Sequence, residues 1–170
     1  MKPWLACLAA AIALAGCGHS ERAPGGTKST ANPMGAVGST LQLSDSSGTK
    51  LEVTVMHVID PASGADRYST PAHDKHFIGV QLRVQNSAAA TYENNANNET
   101  RITLSNGAAV VADYNAIAGC SNFDNGQVSL TAGSATTGCV TFQVPNGKRI
   151  DTIQYGNAVF PGTTAQWRAS

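Results

Sequence analysis

An all-β domain, an antiparallel sandwich of about seven to nine short strands, is what the sequence predicts, and three features predict it. Apolar and polar residues alternate with period two from Leu41 onward, the spacing of a strand with one buried face. Turn formers such as Asn106-Gly107, Asn125-Gly126 and Pro145-Asn146-Gly147 punctuate the alternation. Only 13% of the 170 residues are charged, while Gly, Ala, Ser, Thr and Asn are plentiful, a balance that suits strands and turns better than charged amphipathic helices.

In chain order, Leu51, Val53 and Val55 face one way and Glu52, Thr54 and Met56 the other, with His57 on the inner parity as a half-buried strand-end residue. Asp60-Pro61 is expected to stop this strand, because Pro lacks a ladder donor and restricts its predecessor. The clearest strand is His76 to Asn86, with Ile78, Val80, Leu82 and Val84 on its core face. Residues 87–99 hold one aromatic and four Asn and read as a mobile loop, too polar to pack and too irregular to pair. Ile102 and Leu104 lead into a hairpin at Asn106-Gly107, where positive φ is favoured at both central positions, and Val110 and Val111 return from it. Short strands follow at Gln127 to Leu130, Thr137 to Val144, Ile150 to Tyr155 and Thr164 to Arg168; Gly138, Val140, Phe142 and Val144 form the core face of the second of these. No stretch of helical period and useful length follows Ala15. Strands of this number and spacing predict a sandwich of immunoglobulin type, with a small barrel as the alternative.

The N-terminus reads as an address. Lys2 supplies a positive start, and Leu5 to Ala15 is an uncharged run of eleven residues, shorter than the roughly twenty needed to cross a bilayer as a helix. Leu14-Ala15-Gly16-Cys17 has the form of a bacterial lipobox, so residues 1–16 are expected to leave as a lipoprotein signal peptide and Cys17 to carry lipid. Several acyl chains then hold the protein to a membrane, where one alone binds marginally. Residues 17–37 comprise that Cys and a disordered tether rich in Gly, Pro, Ser and Thr, and residues 38–170 the folded domain. About twenty flexible residues span roughly 25 Å, enough to clear the headgroups. The expected location is the extracytoplasmic face of the cell membrane, or the outer membrane in a diderm host.

Of the four Cys, Cys7 leaves with the signal and Cys17 is consumed by lipid. Cys120 and Cys139 remain, and in an oxidising compartment a leftover pair forms a disulfide. Neither C-x-x-C nor a nearby His accompanies them, so zinc is disfavoured.

Lys plus Arg and Asp plus Glu each total 11, and this neutrality excludes the electrostatic footprint of a nucleic-acid binder. No G-x-S-x-G elbow, phosphate cradle or EF-hand spacing occurs, so no catalytic residue, metal ligand or cofactor is assigned. His73 and His76, flanking Asp74, are the nearest approach to a metal cluster and support the alternative of a small-molecule or metal carrier. Tyr68, Tyr92, Tyr114 and Phe123 lie in or beside expected loops, where aromatics either anchor a partner or cap the core. The leading expectation is a non-catalytic module that binds an envelope protein, peptide or glycan through its loops.

The lipobox at Cys17, Asp60-Pro61, the strand Phe77 to Asn86, Gly138-Cys139-Val140-Thr141-Phe142 followed by Val144-Pro145, and Trp167 occur in an order that resembles a known family. It comprises actinobacterial and Firmicute extracellular lipoproteins with an immunoglobulin-like domain of unknown function, related in fold to secreted mycobacterial immunoprotective antigens. The resemblance runs from about Gly38 to Arg168, and the Asn-rich run Asn94 to Asn98 departs from it. It implies a fold and a location, and it brings no catalytic residues.

Overall fold

The computed structural model describes residues 34–156 and 164–169, so the signal segment, Cys17 and most of the expected tether lie outside the described residues. Eleven strands form: β1 (Met34–Ala36), β2 (Thr40–Ser44), β3 (Lys50–Ala62), β4 (Lys75–Asn86), β5 (Tyr92–Asn95), β6 (Thr100–Leu104), β7 (Ala109–Val111), β8 (Gln127–Leu130), β9 (Ala135–Pro145), β10 (Ile150–Tyr155) and β11 (Ala165–Arg168). One helical turn, α1 (Ala96–Glu99), follows β5, and a 3₁₀ turn at Asp124–Gly126 precedes β8. Two sheets make the sandwich, in the orders β1-β11-β10-β6-β7 and β2-β3-β4-β9, and β5 pairs with β8 as a separate ribbon. The separate sheet orders answer the barrel alternative: the architecture is a sandwich.

The core follows from the alternation. Val53 and Val55 of β3, Ile78, Val80, Leu82 and Val84 of β4, and Val140, Phe142 and Val144 of β9 are all at 0% exposure. They meet Ile102 of β6, Ile153 and Tyr155 of β10 and Trp167 of β11 from the opposite sheet. Burial of such a side chain contributes about 1.5 to 3 kcal/mol, so this shared face is the main stabilising term. Trp167 also anchors the N-terminal edge, its indole N–H donating to the Ser39 carbonyl at 2.9 Å.

Several local expectations change. Met34 to Ala36, assigned to the tether, pair with Gln166 to Arg168 as the sheet's parallel edge strand, because the buried Trp167 strand offers a free ladder edge. β3 does not stop at Asp60-Pro61: register shifts fall between Val55 and His57 and between Ile59 and Ala62, and the second absorbs the proline where β2 no longer pairs with β3. The first shift leaves Met56 unpaired, inverts the alternation and leaves His57 exposed while Val58 packs on the core. The 87–99 stretch is not a loop throughout. Asn95 caps α1, its Oδ1 accepting from the backbone N–H groups of Asn97 and Asn98, and Thr100 closes the turn by donating its hydroxyl to the Ala96 carbonyl at 2.6 Å. Asparagine supplies capping and pairing here rather than solvation.

The β6–β7 turn also differs in detail. Gly107 N–H donates to the Leu104 carbonyl at 2.8 Å, and in this turn only Gly107 has positive φ, at 83°, so the connection is a three-residue loop ending in a left-handed glycine. Positive φ at both members of an Asn-Gly pair occurs instead at Asn125 and Gly126, at 47° and 79°.

β9 is buried on both faces. Its inner face joins the main core, while Cys139 packs outward with Phe77 and Ile117 in a second cluster. The 112–122 connection covers this outer side: Asp113 N–H donates to the Thr141 carbonyl at 2.7 Å and Cys139 N–H to the Ser121 carbonyl at 2.9 Å. Cys120 and Cys139 are bonded, with Cα atoms 5.9 Å apart, as expected from the cysteine count. Phe123 lies at 6% exposure against Gly138, where an added Cβ would stand 2.7 Å from its ring.

Two outcomes follow for stability. Phe123→Ala is expected to cost about 3 kcal/mol by cavity formation, read as a lower urea midpoint with unchanged slope. Replacing both Cys120 and Cys139 by Ser is expected to cost about 3 kcal/mol through a less restricted unfolded chain. An unchanged urea midpoint in either variant contradicts the corresponding account.

Candidate functional site

A cleft of about 460 Å³ opens where the β2–β3 turn, the 86–91 connection, β5 and the end of β10 converge. Each wall has a local cause. In the β2–β3 turn, Asp45 folds back on its own chain: its Oδ1 accepts from the Ser47 and Thr49 backbone N–H groups at 2.9 and 3.0 Å and from the Ser47 hydroxyl at 2.6 Å. The Ser47 hydroxyl is the largest cause holding the Asp45 carboxyl below its ordinary range. The opposite wall hangs on Asn86, a fully buried amide at the end of β4. Its Nδ2 donates to the Ala90 and Leu130 carbonyls at 2.8 and 2.9 Å, and its Oδ1 accepts from the Ala88 N–H at 2.9 Å. Such an amide is worth burying only because all these groups find partners.

At the base, the hydroxyls of Tyr92 and Tyr155 lie 3.3 Å apart. Burial pushes the Tyr92 phenol up and the Tyr155 phenol well up, so both stay protonated at neutral pH. Glu99, the last residue of α1, also lines the cleft. Partial burial pushes its carboxyl above the ordinary 4.5, opposed by a hydrogen bond from Asn94 Nδ2 at 3.1 Å and by the charge of Arg101. Asp45, Glu93 and Glu99 all line the cleft, and no Lys, Arg or His does so among the described residues. The arrangement suits noncovalent recognition: several oxygen acceptors, a phenol pair, and walls set by hydrogen-bonded turns on a packed sandwich.

The residues singled out from sequence are not brought together. Tyr68 and Tyr114 are 74% and 66% exposed, on segments joined by the Gly64–Ile117 bridge, with the Arg67 guanidinium 4.7 Å from the Tyr68 ring centre. Tyr92 is half-buried and lines the cleft, whereas Phe123 belongs to the core, the capping one of the two roles expected for these aromatics. His73 and His76 engage different carboxylates: His73 Nδ1 lies 2.7 Å from Asp74 Oδ2, and His76 Nε2 lies 3.1 Å from Asp60 Oδ1. His73 is almost wholly exposed, and among the described residues no three His, Cys, Asp or Glu converge to hold a metal. Asp45, Glu99 and Tyr155 were missed. The Asp45-Ser46-Ser47-Gly48 turn was readable, and Tyr155 shares the parity of Ile153, but their convergence is a tertiary fact.

Glu99 yields a pH prediction. Its folded pKa exceeds its unfolded one, so the native state holds more protons in the window just above 4.5, and the group's contribution becomes unfavourable as pH rises through that window. Glu99→Gln removes the titration. Its stability relative to wild type is therefore expected to improve between about pH 4 and pH 7, measured by urea midpoints; a constant difference contradicts the burial account.

The fold has recognisable neighbours. The secreted protein MPT63 from Mycobacterium tuberculosis superposes with a TM-score of 0.57 at 16% identity, over 81% of this chain and 98% of that one. ycdA of Bacillus subtilis, provisionally named a lipoprotein, gives 0.55 at 10% identity, over 79% of this chain and 38% of that larger one. The yjhA protein of the same organism gives 0.55 at 14% identity, over 81% and 100%. At these identities the similarity establishes the sandwich fold. Among curated proteins, no sequence relative is found. A family match nonetheless spans residues 41–165, from β2 to the first residue of β11, and by it the chain belongs to the family of the domain of unknown function DUF4352.

Proposed function

We propose that this chain is a lipid-anchored extracytoplasmic binding module that holds a small polar ligand, free or as part of an envelope peptide or glycan, in the Tyr92–Tyr155–Glu99 cleft without transforming it. The cleft carries the reading. A volume of about 460 Å³ falls within the range of small-ligand sites, and its floor is fixed by side chains from both sheets and the β5–β8 ribbon. The site places polar groups for recognition on elements that need little reordering, which lowers the entropic cost of binding. Fold neighbours that are secreted or provisionally named a lipoprotein support an extracytoplasmic location, and Leu14-Ala15-Gly16-Cys17 supports the anchor.

The anchor is tested by replacing Cys17 with Ser and feeding cells a palmitate analogue: label on the wild-type chain should vanish from the variant, and unchanged labelling defeats the anchor. The cleft is tested by titrating the Cys17→Ser chain with a set of neutral sugars, amines and carboxylates while following its amide NMR signals. At least one member should move the signals of Ser44 to Thr49 together with those of Tyr92 to Glu99. If none does, the cleft is not the binding site.

A further inference from the structure

Asn-Gly pairs occur in turns at Asn106-Gly107, Asn125-Gly126 and Asn146-Gly147. Each pair can react with itself. The glycine nitrogen can close a five-membered ring onto the asparagine side-chain carbonyl carbon, and a residue without Cβ leaves that nitrogen open to approach. The fold decides whether the ring closes. Both groups must turn toward each other about the Asn Cα–C bond, and any hydrogen bonds they make must first break.

At two of the pairs both reacting groups are tied. Gly107 N–H donates to the Leu104 carbonyl at 2.8 Å, while Asn106 Oδ1 accepts from the Ala108 N–H at 3.2 Å. Gly126 N–H donates to the Phe123 carbonyl at 3.0 Å, and Asn125 Nδ2 donates to Asp124 Oδ1 at 3.3 Å. Asn95 Nδ2 also holds the Asn125 carbonyl at 3.0 Å, and a Cβ added to the buried Gly126 would stand 2.5 Å from Asn95 Oδ1. That peptide has no room to rotate.

The β9–β10 turn differs. Lys148 N–H donates to the Pro145 carbonyl at 3.1 Å and Gly147 has φ of 77°, which makes a type II turn with Asn146 and Gly147 at its central positions. The peptide between them takes no part in the turn's own hydrogen bond. Among the described residues neither the Asn146 side chain nor the Gly147 N–H has a partner, both residues are exposed, and a Cβ built on Gly147 meets nothing within 4 Å. Asn146 N–H donates to the Asp74 carbonyl at 2.9 Å, on the far side of the rotating bond, so the end of β9 stays fastened while that peptide turns.

We propose that Asn146 is a site of self-modification, converted through attack of the Gly147 nitrogen on its own side-chain amide. The Gly147 N–Cγ bond forms as that nitrogen gives its proton to solvent; the Cγ–Nδ2 bond breaks and Nδ2 leaves as ammonia. A succinimide ring remains. Water then opens it, at Cγ to give aspartate or at the main-chain carbonyl to give isoaspartate, which carries the chain through Cβ and lengthens the turn by one carbon. Nothing is oxidised or reduced, and water is the only co-reactant. Either product sets a new carboxylate beside Lys148 and Arg149 at the tip of the turn.

The test keeps the full-length Cys17→Ser chain warm in mildly alkaline buffer and follows each Asn-Gly peptide by mass mapping and by isoaspartate methyltransferase labelling. Asn146 should convert at least about tenfold faster than Asn106 or Asn125, since each hydrogen bond that must break first slows closure several-fold. In guanidinium chloride with the disulfide reduced, the three rates should converge, because the hydrogen bonds that separate them are gone. Asn146→Gln should remove the fast conversion, its longer side chain closing a larger ring slowly, while the folded spectrum is kept. Conversion at Asn106 or Asn125 as fast as at Asn146 in the folded chain overturns the proposal. The same order of rates in the denatured chain also overturns it, by assigning the selectivity to neighbouring residues rather than to the turn. So does an Asn146 that stays intact while the denatured chain reacts.

Discussion

Burial of β4 on both faces near its start and on one face near its end organises the molecule. Strand β4 is hydrogen-bonded along both edges, to β3 and β9, so its ladder is fully used. Its inner face closes the main core, but Phe77 at its outer face, beside Cys139 of β9, needs a third layer that two sheets cannot supply. The 112–122 connection supplies it, placing Ile117 over Gly79 and fastening itself through Cys120 and Cys139. Gly79 is required there, since a Cβ at that position would fall on the Ile117 side chain. An edge strand is thereby shielded from pairing with another chain.

The other end of β4 has the opposite character. There the strand finishes on Asn86, whose amide and backbone together tie the 86–91 connection and the turn before β9 to the sheet, Gly133 N–H donating to the Asn86 carbonyl at 2.8 Å. Polar fastening fixes the surrounding turns without filling the space between them, as an apolar plug would. The same strand therefore separates a sealed end, closed by apolar packing and a disulfide, from an open end where a cleft persists. Ligand-scale space in a small sandwich requires such a division, because alternating strands otherwise pack to the density of an organic solid.

The features legible in the sequence were those with a local or compositional cause. Alternation along His76 to Asn86 and Thr137 to Val144 reveals β4 and β9, and counting the cysteines outside the expected signal peptide and lipobox reveals the disulfide pair. Features set by distant partners were not legible. Met34 to Ala36 form a strand because Trp167 lies alongside, and Asn94 and Asn95 pair because Gln127 and Val128 do. His57 changed side through one unpaired residue, which inverts all that follows it. The four aromatics part ways for the same reason: Phe123 is drawn inward by the bare backbone of Gly138, and Tyr92 turns its hydroxyl toward a tyrosine 63 positions away.

Net charge misleads in a similar way at the cleft. A chain with 11 basic and 11 acidic residues has no long-range field to attract polyanions, yet among the described residues folding gathers three acids and no base around one concavity. A local field of that kind is invisible to composition because it depends on which turns converge. It also explains why fold similarity carries no ligand with it. Chains sharing 10% to 16% identity with this one keep the sandwich fold, because a buried strand face constrains polarity and size rather than residue identity. Asp45 lies in a turn, Glu99 ends a one-turn helix and Tyr92 opens a short ribbon, so each position is free of the pattern that maintains the core. Surface chemistry in this architecture can therefore change while the sheets stay fixed.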